Sequence, residues 1–454
     1  MVTMTGSKRT MAERNHQIKL IAVTLPPFAL RPFAIVSFLL LFALPVDSLP
    51  LPIRAQVIPL TSLFAMLFLP FIIGRIHITP LFKMVILFST FVLLHSVIAL
   101  FIDYIILDRG EVRIFAWFRQ VVALIAGLSV FFVLRRTLVH VSDRFVIYAV
   151  VAGALPALAV ALLNILWGLG VSSLAGQIVT LIRTTLIPLG WTGPDRASGL
   201  SLEPSSFAVY LLVVIFPILV MLSNTGSWRI AVSIFAVVLA SLGWTFSVTG
   251  FAILLMMLLI GIFLGPRRVM FTLVMVLVAI MLTLFIHLFP QNYAVYQIDS
   301  LLKGQYTVSF VDRFYSTIGP FLSVFSSYSI IGYGLGGTVS HITEILPENI
   351  TAAIMSARWE NMPMLGTLIG RIFVETGFIG LSLFSLVVLA GLWEIRAILQ
   401  REQNCSKKFF IRSARLALLA TLMAYFITLG SFAFPYLWFW LAVIDSRYIR
   451  LHRQ

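Results

Sequence analysis

Apolar residues along this chain do not alternate with polar ones. They run in twelve blocks near residues 32–46, 55–73, 81–102, 114–134, 145–167, 205–222, 228–246, 249–264, 269–289, 372–394, 413–430 and 433–446. A helix needs about 20 mostly apolar residues to cross a hydrocarbon core about 30 Å thick, and tilt or a polar interruption is tolerated. Each block therefore predicts a membrane-spanning helix. A further apolar stretch, 171–190, is interrupted by Arg183 and is expected to be re-entrant or interfacial. The expected fold is an all-α polytopic membrane protein of about 12 transmembrane helices, one integral domain over residues 1–454.

Lys and Arg alternate with the blocks, which fixes an orientation because cytoplasmic loops carry the basic excess. One side, with both termini, collects 22 basic and five acidic residues, a balance of +17. The other collects 10 basic and 12 acidic residues, a balance of −2. On this reading residues 1–31 are a cytoplasmic N-terminal segment, 395–412 a basic cytoplasmic loop and 447–454 a cytoplasmic tail. The N-terminus has the basic start of a signal peptide, but ALPVDSLP at 43–50 lacks a small-x-small cleavage pattern, so the first block is retained as a helix.

Two external segments stand out, 168–204 and the 82-residue stretch 290–371. Loops this long in compact proteins usually carry function, and the second is too rich in Tyr, Phe, Ile and Leu to be disordered. Its segments 309–327 and 351–371 are expected to form short helices at the outer face. No cytoplasmic connection between blocks is long enough for a nucleotide-binding domain, which excludes an ATP-driven pump within this chain.

Composition agrees with the pattern. The 454 residues are 60% hydrophobic and 11% charged, whereas soluble domains are about half apolar and a quarter charged. The formal charge of +15 is mostly topology, so no nucleic-acid partner is expected. A lone cysteine, Cys405, excludes a disulfide framework.

Candidate chemistry falls in three external constellations. RASGLSLEPSSF places Arg196, Gly199, Glu203 and Pro204 just before a block; an arginine there offers a planar fork of donors suited to phosphate oxygens, and Pro204 marks a helix start whose amides face the same side. The alternative is an arginine that snorkels to the interface. VDRFYSTIGPFLSVFSSYSIIGYGLGG places Arg313 before Gly332, Gly334, Gly336 and Gly337, where a second external arginine would complete a diphosphate clamp; the alternative is a local Asp312–Arg313 surface pair. The glycines match G-x-G-x-x-G, but no strand-turn-helix unit surrounds them, and close backbone turns explain them better. The third constellation, residues 341–380, supplies His341, Glu344, Glu348, Arg358, Glu360, Asn361, Arg371 and Glu375. A charge inside a span is a functional hypothesis by default, although Glu375 lies near enough to its entrance to cap or pair locally. No His and carboxylate spacing resembles a metal-ligand set, so no metal is expected.

Taken together, Arg196-x-x-Gly199 with Glu203-Pro204, Arg313 upstream of Gly332-x-Gly334-x-Gly336, and Asn361 upstream of Glu375-x-Gly377-x-x-Gly380 resemble the O-antigen polymerase (Wzy) and O-antigen ligase superfamily of bacterial inner-membrane glycosyltransferases. That resemblance implies a GT-C-like fold acting without cofactor or metal on undecaprenyl-diphosphate-linked oligosaccharides at the periplasmic face, by inversion. It implies membrane lipids and a chain-length regulator protein as further partners. Arg196, Arg313 and Arg371 would bind the diphosphate. Glu203, Glu360 or His341 would act as base, with Asn361, Glu375 and Gly334 as acceptor contacts or support. Ligases of this superfamily usually carry a histidine where this chain has Arg358-Trp359-Glu360-Asn361, which favours a polymerase. A ligase that transfers glycan to lipid A core remains the nearest alternative, and a lipid-linked oligosaccharide flippase a more distant one.

Overall fold

The computed structural model describes residues 27–50, 57–72, 77–105, 110–188, 190–191, 193–264, 268–288, 293–303, 308–322, 330–345 and 365–453. Those residues are almost wholly helical, and each of the twelve apolar blocks falls on a helix. In chain order these are α1 (Pro27–Phe42), α2 (Leu60–Ile72), α3 (Pro80–Ile105), α4 (Gly110–Leu138) and α5 (Asp143–Gly168). The short α6 (Ser173–Leu186) precedes α7 (Pro204–Leu222), α8 (Trp228–Trp244), α9 (Val248–Leu264) and α10 (Arg268–Leu288). The long segment 290–371 contributes α11 (Tyr293–Leu302), α12 (Val308–Leu322) and α13 (Thr338–Ile345). The chain ends with α14 (Leu368–Arg401), α15 (Cys405–Ile427) and α16 (Pro435–Arg453). A two-residue antiparallel pairing, Leu49–Pro50 with Val57–Ile58, closes the turn between α1 and α2.

Six helices among the described residues are long and apolar enough to cross a membrane, and the chain is a helical multi-pass membrane protein. The apolar stretch of α7 is 94% buried while that of α3 is 33% buried. Helix α7 is thus the centre of the bundle, and α3 presents Leu94, Val97, Ile98 and Phe101 outward as an apolar perimeter suited to lipid. With 14 residues, or about 21 Å at 1.5 Å per residue, α6 is too short to cross, as the interrupting Arg183 suggested.

The polar boundaries differ from expectation. The stretch 395–412, expected as a loop, is helix except for residues 402–404, because α14 runs on to Arg401 and α15 starts at Cys405, capped by the Asn404 side chain at the amides of Ser406 and Lys407. The tail from 447 on is likewise helix, the last two turns of α16 through Arg453. Lys and Arg are good helix formers and favour helix C-termini, so the helices continue past their apolar blocks.

Two helices depart from regular geometry. In α7 the stretch Leu211–Ile215 forms a π-helical turn. Pro217 has no N–H to return to the carbonyl of Val213, and Trp440 Nε1 donates to that carbonyl at 2.9 Å instead. In α14 the helix breaks at Gly377, at φ 62° and ψ −165°.

Candidate functional site

The N-terminal end of α7 is built by the connection 190–203. Its backbone is pinned at several points. Trp191 N donates to Leu202 O at 2.9 Å, Ala197 N to Trp244 O at 2.9 Å, and the Asn164 side chain to Gly193 O at 3.3 Å. Asp47, in the turn after α1, accepts from Leu202 N at 2.9 Å. This carboxyl is buried, and desolvation pushes it up to about 6, with a smaller contribution from the charge of Glu203.

Glu203 then takes the N-cap position of α7 with extended backbone, φ −130° and ψ 155°, and Pro204 opens the helix. Its carboxylate does not cap the helix; it is exposed and accepts from Ser205 Oγ at 3.0 Å. A second helix start faces it. Between α8 and α9 the chain turns through Phe246, whose φ of 46° is the single positive value for a non-glycine among the described residues. Ser247 Oγ then accepts from Gly250 N at 3.1 Å and caps α9.

Into this corner come both arginines of the expected clamp. Arg196 donates from Nε to the Thr245 carbonyl at 2.8 Å and lies over the Trp191 ring, 5.6 Å from its centre. Arg313, on α12, donates to Thr249 Oγ1 in the first turn of α9. Together with Glu203, Pro204, Ser205, Ser247, Val248, Trp191 and Gln297 they line one cavity of about 240 Å³. Sites that enclose a whole drug-sized ligand run about 300–1,000 Å³, so this one suits a head group whose remainder lies outside. Two guanidinium groups and two helix N-termini, each equivalent to roughly half a positive charge, face one carboxylate. The arrangement can hold an anion with a carboxylate oxygen beside it.

The other expected site residues lie elsewhere. Arg371 does not line the cavity: it is 2% exposed, donates to the Gly430 carbonyl, and sits 3.4 Å from Glu375 Oε1. Glu375 is fully buried and accepts from Gly336 N at 3.1 Å and Thr338 Oγ1 at 3.3 Å. The break in α14 and the glycine-rich loop therefore interlock. Tyr333 N and Gly334 N donate to the carbonyls of Val374 and Glu375 at 2.9 and 2.7 Å. A side chain at Gly332, φ 77°, would come within 2.5 Å of the Glu375 backbone, and one at Gly377 would strike the Ile330 carbonyl. His341, a candidate base, is 4% exposed, with Nδ1 3.0 Å from Glu344 Oε1 and Nε2 3.3 Å from Asp103 Oδ1. Tyr333 stacks on its ring at 3.9 Å and donates to Glu344 at 2.7 Å. Glu360 and Asn361 lie outside the described residues.

Sequence reasoning missed the residue that holds the interlock. Arg113 of α4 is fully buried, pairs with Asp103 at 2.6 Å, and donates to the carbonyls of Leu335 and Tyr333. The available signal was an acid and a base at the facing ends of two consecutive apolar blocks, Asp103 after 81–102 and Arg113 before 114–134. It also missed Ser247 and Thr249, for which only the two-residue gap 247–248 between blocks 228–246 and 249–264 gave warning.

Against known proteins, no family model matches the chain, and no curated protein matches it.

Proposed function

We propose that the protein is a glycosyltransferase that uses a lipid-diphosphate sugar donor at the outer face of the bacterial inner membrane, and that it polymerises undecaprenyl-diphosphate-linked repeat units. The reading rests on one observation above others. Arg196 and Arg313, far apart in the chain, line a single cavity with two helix N-termini and the carboxylate of Glu203. A diphosphate seated there is held by both guanidinium groups and by amides of the first turns of α7 and α9. The acceptor hydroxyl attacks the anomeric carbon as the bond from that carbon to the diphosphate oxygen breaks. Charge grows on the departing diphosphate, where the arginines stabilise it, and Glu203 takes the hydroxyl proton. The resemblance of the three constellations supplies the substrate class. In this proposal all twelve blocks cross the membrane in a GT-C-like arrangement, and both termini are cytoplasmic.

Surface polysaccharide from a deletion strain tests the reading on a gel. Loss of a polymerase leaves cores bearing one repeat. Loss of a ligase leaves bare cores and lipid-linked polymer, and loss of a flippase leaves bare cores with units trapped inside. A full-length ladder from strains carrying Arg196→Ala or Arg313→Ala would rule out the clamp.

A further inference from the structure

A second cavity lies at the other end of α5. Asn164, late in that helix, reaches the connection that carries Arg196, whereas Asp143 opens the helix, about 32 Å away at 1.5 Å per residue. A hydrocarbon core is about 30 Å thick, so the two cavities stand a membrane's thickness apart. The second is lined by three cations, Lys407 of α15 and Arg447 and Arg450 of α16, and by two carboxylates, Asp143 and Glu402. Its remaining lining is apolar, from Ile398, Ile411 and Leu451.

Most of the donors here are spent on protein. Lys407 Nζ sits 3.3 Å from Glu402, and Arg450 donates from Nε and Nη2 to the carbonyls of Leu138, Val139 and Val141. Arg447 donates from Nη1 to the Leu138 carbonyl at 2.8 Å, and its Nε lies 2.6 Å from Asp143 Oδ1. Two guanidinium nitrogens are left over. Nη2 of Arg447, whose side chain is 6% exposed, is buried with no acceptor. Nη1 of Arg450 has Asp143 Oδ1 at 3.8 Å, beyond hydrogen-bonding distance. A charged donor buried without an acceptor is costly, and the cations of the cavity outnumber its carboxylates by one.

We infer that this cavity binds the phosphodiester of a membrane lipid. Its volume is about 30 Å³. A water-sized atom needs about 10–15 Å³ of such space, so the two free oxygens of a phosphodiester fit and the rest of the lipid stays outside. Arg447 Nη2 and Arg450 Nη1 donate to those oxygens, and the single negative charge of the diester cancels the surplus positive charge. The apolar lining meets the glycerol and the first acyl carbons. Inorganic phosphate suits the cavity less well, because it carries more charge than the surplus and offers nothing to the apolar lining. The bound lipid joins α5 to α14, α15 and α16.

The test uses the full-length protein purified in detergent and stripped of lipid, with the melting midpoint as readout. Phosphatidylglycerol, whose one charge is its phosphodiester, is expected to raise the wild-type midpoint by several degrees, since a ligand that binds only the folded state stabilises it. A diacylglycerol with the same chains, and inorganic phosphate at matched ionic strength, should each raise it by less than half as much. Lys407→Gln removes the surplus charge at a half-exposed position and should lose most of the shift. Arg450→Gln should lose it too, and Lys407→Gln keeps the test decisive if that variant does not fold. Lys408→Gln, the same change outside the lining, should keep the shift, as should Arg196→Ala at the other cavity. No wild-type shift would overturn the proposal. So would an equal shift with diacylglycerol, which makes the contact apolar packing alone, or with inorganic phosphate, which makes it a site for a free anion. A shift kept by Lys407→Gln or lost in Arg196→Ala would place the lipid elsewhere and overturn it as well.

Discussion

The cavity and the interlock are built from the same residue types, arginine, glutamate and glycine turns at the ends of helices, yet they use them in opposite ways. In the interlock each named side chain makes at least one bond to protein, although Glu375 Oε2 and Arg371 Nε are buried without a hydrogen bond. Arg113 is shared among Asp103 and two carbonyls, Glu375 among Gly336, Thr338 and Arg371, and His341 between two carboxylates. In the cavity Arg196, Glu203 and Arg313 are anchored to Thr245, Ser205 and Thr249 and still border open volume. Polar groups bonded to one another and shut away from solvent hold a fold in place, whereas groups that border a cavity can turn to a ligand. The difference separates a keystone from a site, and sequence motifs alone do not make it.

The sharpest way to break the comparison is to remove the centre of the interlock. Arg113→Ala leaves Asp103 buried without its cation and two carbonyls without their donor, a loss of about 3–5 kcal/mol for a buried pair. The expected outcome is loss of the monodisperse folded species in detergent, and Arg113→Lys should not rescue it, since an ammonium does not reproduce the planar fork. Gly377→Ala should fail the same assay, because the residue has a left-handed φ of 62° and its new methyl would meet the Ile330 carbonyl.

On the cavity side the effect should fall on activity and not on folding. Arg196→Ala and Arg313→Ala are each expected to keep a near-wild-type melting midpoint while product formation falls about 10²–10³-fold, the cost of losing one donor to a developing anion. A ladder assay combined with melting of the purified variants separates the two. If either arginine variant unfolds instead, the distinction between keystone and site is wrong for that residue.

Behind the cavity, Asp47 offers a graded test. An aspartate ordinarily titrates near 3.9, and burial pushes this one up to about 6. The fold therefore holds the proton more tightly than the unfolded chain does. The stability this contributes is full below about pH 3.9 and is lost as pH rises through about 6, at most about 3 kcal/mol. Asp47→Asn keeps an acceptor for the Leu202 amide and removes the charge. It should flatten stability between those limits and raise the melting midpoint at neutral pH; an unchanged pH profile would show that Asp47 does not carry the slope.

Much of this was legible in the sequence, and the remainder was hidden for physical reasons. Blocks of apolar residues forecast each long helix, since nothing else satisfies the backbone in a hydrocarbon layer. Arg196 and Arg313 could be paired from the side of the membrane that the charge pattern predicts for both, before any contact was known. The separation of Arg371 from them could not, because it depends on the chain turning back at Gly430 to present a carbonyl. Arg113 and Asp103 looked like ordinary block-end charges until the glycine loop, over 200 residues later, was laid across them. The helix ends at Arg401 and Arg453 were misjudged because composition marks where lipid ends and says little about where a helix ends.

The smallest expected effect concerns His341, the residue on which sequence and structure point to different roles. As a base it would have to present a ring nitrogen to a substrate, but both nitrogens face carboxylates and the ring lies under Tyr333. His341→Gln keeps one donor for one carboxylate and gives up the second bond and the ring stack. A hydrogen bond contributes about 1 kcal/mol and an aromatic pair about 0.5–1.5 kcal/mol, so a loss of about 1–2 kcal/mol is expected. Product formed per unit of folded protein should match wild type, which is the reading that a purely supporting residue leaves unmoved. A variant that melts normally and makes no ladder would return His341 to the chemistry and move the acceptor's proton toward the interlock.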